Sequence, residues 1–283
     1  MEIFIESNAL ISTFSGDLKE AGETIIKLIV PEKIFLAGIY ENEPDGRMLY
    51  DLLIIITNDA NRPYSEYKAI MEHISIRIWP VRSTILKMYD FFKKITAGHI
   101  YLSRICRPEN LLYDNGCHPL PKQGDIPVQD IVIKAAGDFN DGWRRAGSFL
   151  EGARHYAERQ EKELAVFMLH QAAELTFRAL LKSLMDHELF SHDLRSLSRE
   201  CRHCAPRIAT IFPCHHEEDK RLLHLLQKAY VCTRYKDNYE ISEQDLTVLL
   251  ERVTNLHFGA PDIFSVKLKE AEEALNQLVL CQK

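Results

Sequence analysis

Residues 169–182 read LHQAAELTFRALLK and introduce the pattern that governs the second half of the chain. Three polar residues, His170, Glu174 and Arg178, recur every four positions, so they share one stripe of a helix. Such a stripe suits a ligand site or, equally, a buried polar network between helices. The spacing of the surrounding apolar residues predicts a helix over 163–186.

Helical spacing continues on both sides of this stretch. From Ile131 to the end of the chain, the alternation that is typical of strands is absent. Ser242 is followed three residues later by Asp245, a spacing that satisfies the free amides of a first helical turn. We therefore predict an all-α up-down helical bundle over residues 130–283. The predicted helices are 130–159, 163–186, 192–205, 217–232, 242–257 and 262–280.

The first part of the chain has strand patterns instead. The run 49–56 is apolar on both faces, as expected of a central strand, and a polar turn at 41–46 separates it from a strand at 33–37. Apolar residues at helical spacing predict a helix over 17–30. These elements predict an α/β domain over residues 1–115.

Three further elements are predicted in that domain. The run 73–79 alternates apolar and polar residues and ends at Pro80, which predicts a strand with one solvated face. A helix over 81–97 and a short strand over 99–106 follow. Four prolines between 108 and 127 then break regular structure, so a linker is placed at 116–129. The predicted fold class is α+β.

Length and composition limit the classes of protein to consider. The 283 residues suit two domains, and 46% apolar with 27% charged residues is typical of a folded globular chain. Lysine and arginine number 35 against 41 acidic residues, a net charge of −6 that argues against a protein coated all round by nucleic acid. Local basic patches remain compatible with this charge.

The sequence also indicates a compartment. No uninterrupted apolar run approaches the roughly 18 residues that a membrane span needs. The first ten residues include Glu2 and Glu6 and have no basic leader. Seven irregularly spaced cysteines favour reduced thiols over a disulfide framework. We therefore expect a cytoplasmic protein without a membrane partner, and no cofactor is predicted.

Four motifs occur in an order that resembles the higher eukaryote and prokaryote nucleotide-binding (HEPN) domain. They are WRRA at 143–146, LHQAAE at 169–174, SHDL at 191–194 and AYVCTRYKDNY at 229–239. The resemblance covers about 120 residues, from 138 to 257. It implies a helical bundle that is often dimeric and often joined to a minimal nucleotidyltransferase. A homodimer through the carboxy-terminal helical domain, and nucleotide or RNA as partner, are expected on this ground.

The same resemblance bears on catalysis. Many HEPN proteins are metal-independent ribonucleases in which an arginine is followed, four to six residues on, by a histidine. Here Arg234 is followed after four residues by Tyr239, and no histidine occurs from Thr233 to Asn255. A phenol, with an ordinary pKa of about 10, is a poor base near neutral pH. The ribonuclease motif is incomplete, so the sequence leaves open whether the protein is an enzyme.

The residues around Arg234 still suit binding of a phosphate, because a guanidinium offers a planar fork and neighbouring tyrosines can stack on a base. The predicted ligand site consists of Arg234, Tyr235, Asp237, Tyr239, His170, Glu174, His192 and Asp193. Two structural alternatives stay open. Arg234 can pair with Asp237 or Glu240 to close its helix, and Asp193 can act as a helix cap.

Residues 15–106 resemble the minimal nucleotidyltransferase family in the order and length of their elements. That family holds a triphosphate with a Gly-Ser pair and metal ions with an Asp-x-Asp pair, but here Gly38 is followed by isoleucine and Asp51 is preceded two positions earlier by Leu49. On the strand predicted at 73–79, Ser75 and Arg77 stand where a third carboxylate is needed. The resemblance therefore implies a catalytically degenerate domain, with Gly38 and Asp51 as its remnant.

Two further possibilities concern metals. The turn residues Glu41, Glu43 or Asp45 could complete the degenerate carboxylate site, although so polar a turn is usually solvated. Cys201, Cys204, Cys214 and His216 have the chemistry of zinc ligands. However, Cys201 and Cys204 continue a helical pattern and no glycine supplies a knuckle turn, so free thiols are the favoured interpretation and no metal is predicted.

The leading functional hypothesis is a nucleotide- or RNA-binding regulatory protein in which a degenerate nucleotidyltransferase-like domain is fused to a HEPN domain. The alternative is an enzyme of a toxin-antitoxin-like system, either an active HEPN-type ribonuclease using Arg234 or a residual nucleotidyltransferase using Asp51. A scaffold whose helices mainly mediate dimerisation is the third possibility.

Overall fold

The computed structural model describes residues 15–42, 47–59, 62–77, 80–122, 124–187, 189, 191–211, 216–235 and 239–280. The chain divides into two compact units, Pro127–Glu273 and Met1–Ile126 with Ala274–Lys283. A small sheet lies in the first part of the chain and long helices follow, so the predicted α+β class is confirmed. The predicted amino-terminal domain (1–115), linker (116–129) and helical bundle (130–283) stay predictions.

The sheet has four strands in the order β3-β2-β1-β4. The strands are β1 (Lys33–Asn42), β2 (Arg47–Ile56), β3 (Val81–Lys87) and β4 (Leu111–Asp114). β1 is antiparallel to both β2 and β4, whereas β2 and β3 are parallel. Residues 51–56 are buried, which agrees with the prediction that this run is a central strand.

Helices surround this sheet. They are α1 (Ser15–Ile29), α2 (Tyr64–Arg77), α3 (Met88–Thr96), α4 (Ile100–Ile105) and a 3₁₀ turn at Pro108–Asn110. α1 buries Leu18, Ala21 and Ile25, which share the stripe that predicted this helix. α2 connects β2 to its parallel neighbour β3, as a crossover between parallel strands must.

The strand predicted at 73–79 is wrong, because this segment continues α2 as far as Arg77. The buried side chains Tyr67, Met71 and Ile74 recur at helical spacing. Burial of these apolar side chains favours a helix more strongly than the short alternating pattern at 73–79 favours a strand. Ser75 and Arg77 therefore do not stand on a strand, and they do not occupy the third carboxylate position.

The next two predictions are also corrected. The helix predicted over 81–97 starts only at Met88, because 81–87 pairs with β2 as the parallel strand β3. The strand predicted over 99–106 is the helix α4, and the Nδ1 of His99 accepts a hydrogen bond from the Leu102 amide at 3.4 Å to cap it.

The second unit is helical. Its helices are α5 (Val128–Glu158), α6 (Lys162–Met185), α7 (Leu194–Cys204), α8 (Ile208–Ile211), α9 (Glu217–Tyr235) and, as far as Glu273, α10 (Glu243–Leu280). α6 packs against α5, α7 and α9. Its side chains Leu169, Phe177 and Leu180 are fully buried, which makes α6 the central helix of this unit.

α10 replaces the two helices predicted at 242–257 and 262–280. Pro261 lies inside it, although an interior proline removes one helical hydrogen bond and its ring clashes with the carbonyl four residues earlier. Ala260, Ile263 and Phe264 are buried around that position, so packing maintains the helix through the proline. The predicted cap is confirmed, because the Asp245 amide donates to the Ser242 hydroxyl at 3.0 Å.

One described helix, Lys162–Met185, is long and apolar enough to cross a membrane by length and composition alone. However, 67% of its apolar window is buried inside the protein. This burial is typical of the core helix of a folded unit.

Candidate functional site

α6 carries the polar stripe that the sequence indicated. His170 is fully buried and Glu174 is 4% exposed, although both side chains are polar. The next member of the stripe, Arg178, donates to Glu174 at 2.9 Å and to the Ser191 carbonyl at 3.0 Å. The stripe therefore joins the segment before α7 to α6 through polar contacts.

The buried carboxylate of Glu174 holds the imidazole of His192. The Nδ1 of His192 lies 3.1 and 3.0 Å from the two carboxylate oxygens. Because a carboxylate only accepts, Nδ1 donates and the other ring nitrogen, Nε2, is left for another partner. The His192 side chain is 52% exposed, so this oriented imidazole is accessible.

His170 lies beneath His192 and has a different role. Its Nε2 donates to the His192 carbonyl at 3.1 Å, and its Nδ1 accepts from the side-chain Nε2 of Gln171 at 3.3 Å. Burial lowers the pKa of His170 to about 4, although the Glu174 charge opposes this shift. A neutral His170 therefore fixes the main chain at His192.

Two residues of α9 complete the group. The ring of Tyr230 stacks on His192 with centroids 4.5 Å apart and on His170 at 4.9 Å. The Gln227 side chain donates to the His192 carbonyl at 3.0 Å and accepts from the Leu194 amide at 2.8 Å. The sequence reading missed both residues, although Tyr230 lies within the quoted run 229–239, one helical turn before Arg234.

Asp193 caps α7. Its carboxylate accepts from the Arg195 amide at 3.3 Å and from the Ser196 amide at 3.1 Å and hydroxyl at 2.6 Å. Burial opposes ionisation, but the hydrogen bonds from Ser196 and Arg195 lower the pKa of Asp193 below its ordinary value. These contacts account for Asp193 as a helix cap.

The other predicted site residues follow α9 or end it. Asp237 and the side chains of Arg234 and Tyr235 lie outside the described residues. Tyr239 is 5% exposed, and its hydroxyl donates to the Leu225 carbonyl at 3.0 Å. A ring so buried offers no face to a base, so Tyr239 serves packing in this conformation. The structure thus gathers His170, Glu174, His192 and Asp193.

The two residues predicted as a nucleotidyltransferase remnant, Gly38 and Asp51, lie on neighbouring strands of the first unit and contact other side chains of that unit. Asp51 is fully buried, and Nη2 of Arg82 on β3 lies 2.7 Å from its carboxylate. Gly38 lies opposite Asp51 in the β1–β2 register, and a Cβ built on it would clash with the ring of Tyr40. The guanidinium of Arg82 lies 5.5 Å from the centre of that ring. The carboxylate of Asp51 therefore pairs with Arg82, whereas a metal site would require this carboxylate as a ligand.

The proposed zinc ligands have other partners. The Cys201 thiol donates to the Phe177 carbonyl at 3.4 Å, and the Cys204 thiol donates to the Cys201 carbonyl at 3.4 Å. Burial raises the pKa of Cys201 well above its ordinary value, which disfavours the thiolate that zinc binds. Cys214 lies outside the described residues, and His216 is exposed. Among the described residues, no three His, Cys, Asp or Glu side chains are grouped to hold a metal ion.

Comparison with known families supports the sequence resemblance in the helical unit. Residues 139–257 match the family model of the HEPN domain. This range contains α6, α7, α9 and the whole His192–Glu174 group. No curated protein matches the chain.

Proposed function

We propose that the HEPN domain binds a nucleotide or a segment of RNA at the surface formed by His192 and Tyr230, and that the protein acts as a regulatory binding protein. The observation that carries this proposal is the buried Glu174 carboxylate, which orients a half-exposed imidazole. Because Nδ1 donates to Glu174, the neutral ring presents Nε2 as an acceptor in a fixed place, which suits a ribose hydroxyl of a nucleotide or RNA.

The motif arginine supports the same surface. Positions 227, 230 and 234 of α9 are spaced by three and four residues, so they fall on one helical stripe. Gln227 and Tyr230 contact the segment at His192. This helical spacing supports Arg234 as a further member of the stripe, and a guanidinium suits a phosphate.

For the first unit, we infer a nucleotidyltransferase-like fold that has lost catalysis. The order helix, strand, strand, helix, strand in α1 to β3 supports the relationship. The ion pair between Asp51 and Arg82 supports the loss, because it neutralises the carboxylate that metal-dependent transfer requires. This unit then contributes regulation or assembly, and we expect no transfer of a nucleotide to protein or RNA.

A second candidate function, RNA cleavage, is favoured by His192 itself. The sequence has no histidine at the expected spacing after Arg234, since none occurs from Thr233 to Asn255, but the fold brings His192 to α9. The free Nε2 could remove the proton of a 2′-hydroxyl, whose oxygen then attacks the adjacent phosphorus. The 5′-oxygen leaves and takes up a proton, which yields a 2′,3′-cyclic phosphate, while a guanidinium stabilises the phosphate charge.

Binding and cleavage are tested separately. Arg234→Ala should weaken binding of a short single-stranded RNA about tenfold to a hundredfold, the cost of a charged hydrogen bond, with a nearly unchanged melting temperature. Unchanged affinity with a large fall in melting temperature would instead make Arg234 a structural residue and contradict the binding proposal.

The cleavage candidate requires a product. Incubation of wild-type protein with end-labelled RNA in EDTA should give fragments ending in 2′,3′-cyclic phosphate, and His192→Ala should abolish them. His224→Ala is the matched control, because His224 is an exposed histidine of α9. If the RNA stays intact after incubation with the wild type, the cleavage proposal is contradicted and the binding proposal is unaffected.

A further inference from the structure

A second site lies between α5 and α6 in the helical unit. The two helices and the residues that follow α6 enclose a cleft of about 370 Å³. This volume is typical of sites for small molecules, at the low end of about 300–1,000 Å³, and it is too small for an RNA strand.

The two helices approach each other closely at Gly142 and Ala179, which line the cleft. A Cβ built on Gly142 of α5 would lie 2.8 Å from the Cβ of Ala179 on α6. Leu175 and Leu189 also line the cleft. The interior therefore offers a shallow apolar surface on which the uncharged part of a ligand can pack.

The rim of the cleft is charged, and positive charge exceeds negative. Arg145, Arg178 and Lys182 line it together with Asp138 and Asp141. Asp138 is already engaged, because the amine of Lys134 lies 3.1 Å away and that of Lys182 lies 3.7 Å away. Of the two carboxylates, this leaves Asp141 as the one without an ion pair among the described residues.

Arg145 is the cation that a ligand can use. It is exposed, and within the described part of the chain its guanidinium has no hydrogen bond or ion pair. Arg178, by contrast, is committed to Glu174 and to the Ser191 carbonyl. An incoming anion therefore meets a free planar fork at Arg145 without breaking an existing pair.

We propose that this cleft binds a small organic anion, whose phosphate or carboxylate pairs with Arg145 and Lys182 and whose apolar body packs over Gly142 and Ala179. This site adjoins the proposed RNA surface at His192, because Arg178 lines the cleft and pairs with Glu174, but its ligand would pair with other residues. Because Arg145 makes no contact with His192 or Glu174, the two proposals can fail independently.

The test is calorimetric titration of the full chain with three probes of similar size. Phenyl phosphate and benzoate present the two anionic groups, whereas benzylamine presents the same ring with the opposite charge. At least one organic anion should bind, and benzylamine should bind far more weakly. The better anion then identifies the group that the cleft prefers.

Two adjacent arginines provide the variants. Arg145→Gln should weaken binding of the better anion about tenfold or more, whereas Arg144→Gln should leave it unchanged, because Arg144 is exposed but does not line the cleft. Both variants should melt like the wild type, since neither side chain is paired. The proposal is overturned if neither anion binds at millimolar concentration, if benzylamine binds equally well, or if the two variants behave alike.

Discussion

At the scale of single residues, burial and hydrogen bonding give the two histidines of the site opposite roles. His170 is buried and neutral, with both ring nitrogens hydrogen-bonded inside the protein. His192 has one nitrogen on Glu174 and more than half of its side chain exposed. The inner histidine thus supports the main chain that presents the outer one.

This difference predicts a dependence of stability on pH. The pKa of His170 is about 4 in the folded protein and 6.5 in the unfolded chain. Between these two pH values the unfolded chain therefore binds a proton on this histidine that the folded protein does not bind. The free energy of unfolding should be largest above pH 6.5 and fall as the pH drops towards 4. At about 1.4 kcal/mol per pH unit, His170 contributes up to about 3 kcal/mol to this loss.

Urea unfolding at several pH values measures the effect. His170→Asn should reduce the slope between pH 4 and 6.5 without removing it, because burial also lowers the pKa of His257 and that residue acts in the same direction. His224→Asn, on the exposed side of α9, should keep the wild-type slope. The same slope in His170→Asn and the wild type would show that His170 is not the group responsible.

The ion pair of Asp51 and Arg82 gives a second prediction at this scale. Asp51 is fully buried, so Arg82→Leu leaves a carboxylate without its charged partner. We expect a loss of about 3 kcal/mol or more in unfolding free energy. The double variant Asp51→Leu/Arg82→Leu should be more stable than Arg82→Leu alone, as measured by denaturant unfolding. A double variant less stable than the single one would argue that Asp51 does not depend on Arg82.

At the scale of secondary structure, the cap of α7 can be separated from the ligand site. Asp193→Ala removes three hydrogen bonds at the start of α7 and should lower the unfolding free energy by about 1 kcal/mol. Asp193→Asn should retain most of the stability, because asparagine also caps well. If Asp193→Ala weakened RNA binding and left the melting temperature unchanged, Asp193 would be a ligand contact and the cap assignment would be wrong.

Elements with a long, strong period were predictable from the sequence. The spacing of apolar residues located α6 and α9, and the doubly apolar run located β2. The segment 73–87 was not predictable in this way, because its short alternation fits a strand while burial of Tyr67, Met71 and Ile74 requires a helix. β3 depends on parallel pairing with β2, a contact between distant residues that local pattern does not contain.

The site shows the same division. The stripe on α6 and the segment 191–194 could be grouped by resemblance, and the structure brings them together. Gln227 and Tyr230 could not be assigned, because their contacts to His192 arise only when α9 packs on α6. The ion pair between Asp51 and Arg82 was not predictable either, because the sequence pattern predicts a helix for the segment that contains Arg82.

At the scale of the whole molecule, we propose a symmetric homodimer formed through the helical domain, as HEPN-like bundles commonly pair. Light scattering on the full chain at micromolar concentration should give about twice the 32.7 kDa of one chain. A fragment beginning at residue 128 should have a dimer mass as well, because the amino-terminal unit is not needed for pairing. A monomer mass for the full chain would contradict this arrangement.

The central claim is that the His192 surface, which lies in the region that matches the HEPN family model, binds RNA or nucleotide. Its most direct test is the equilibrium affinity of a short single-stranded RNA for wild type, His192→Ala and His224→Ala, measured by fluorescence anisotropy at fixed salt. We predict that His192→Ala binds about tenfold or more weakly and that His224→Ala binds like the wild type. Equal affinity for all three proteins, or no RNA binding by the wild type, would contradict the account.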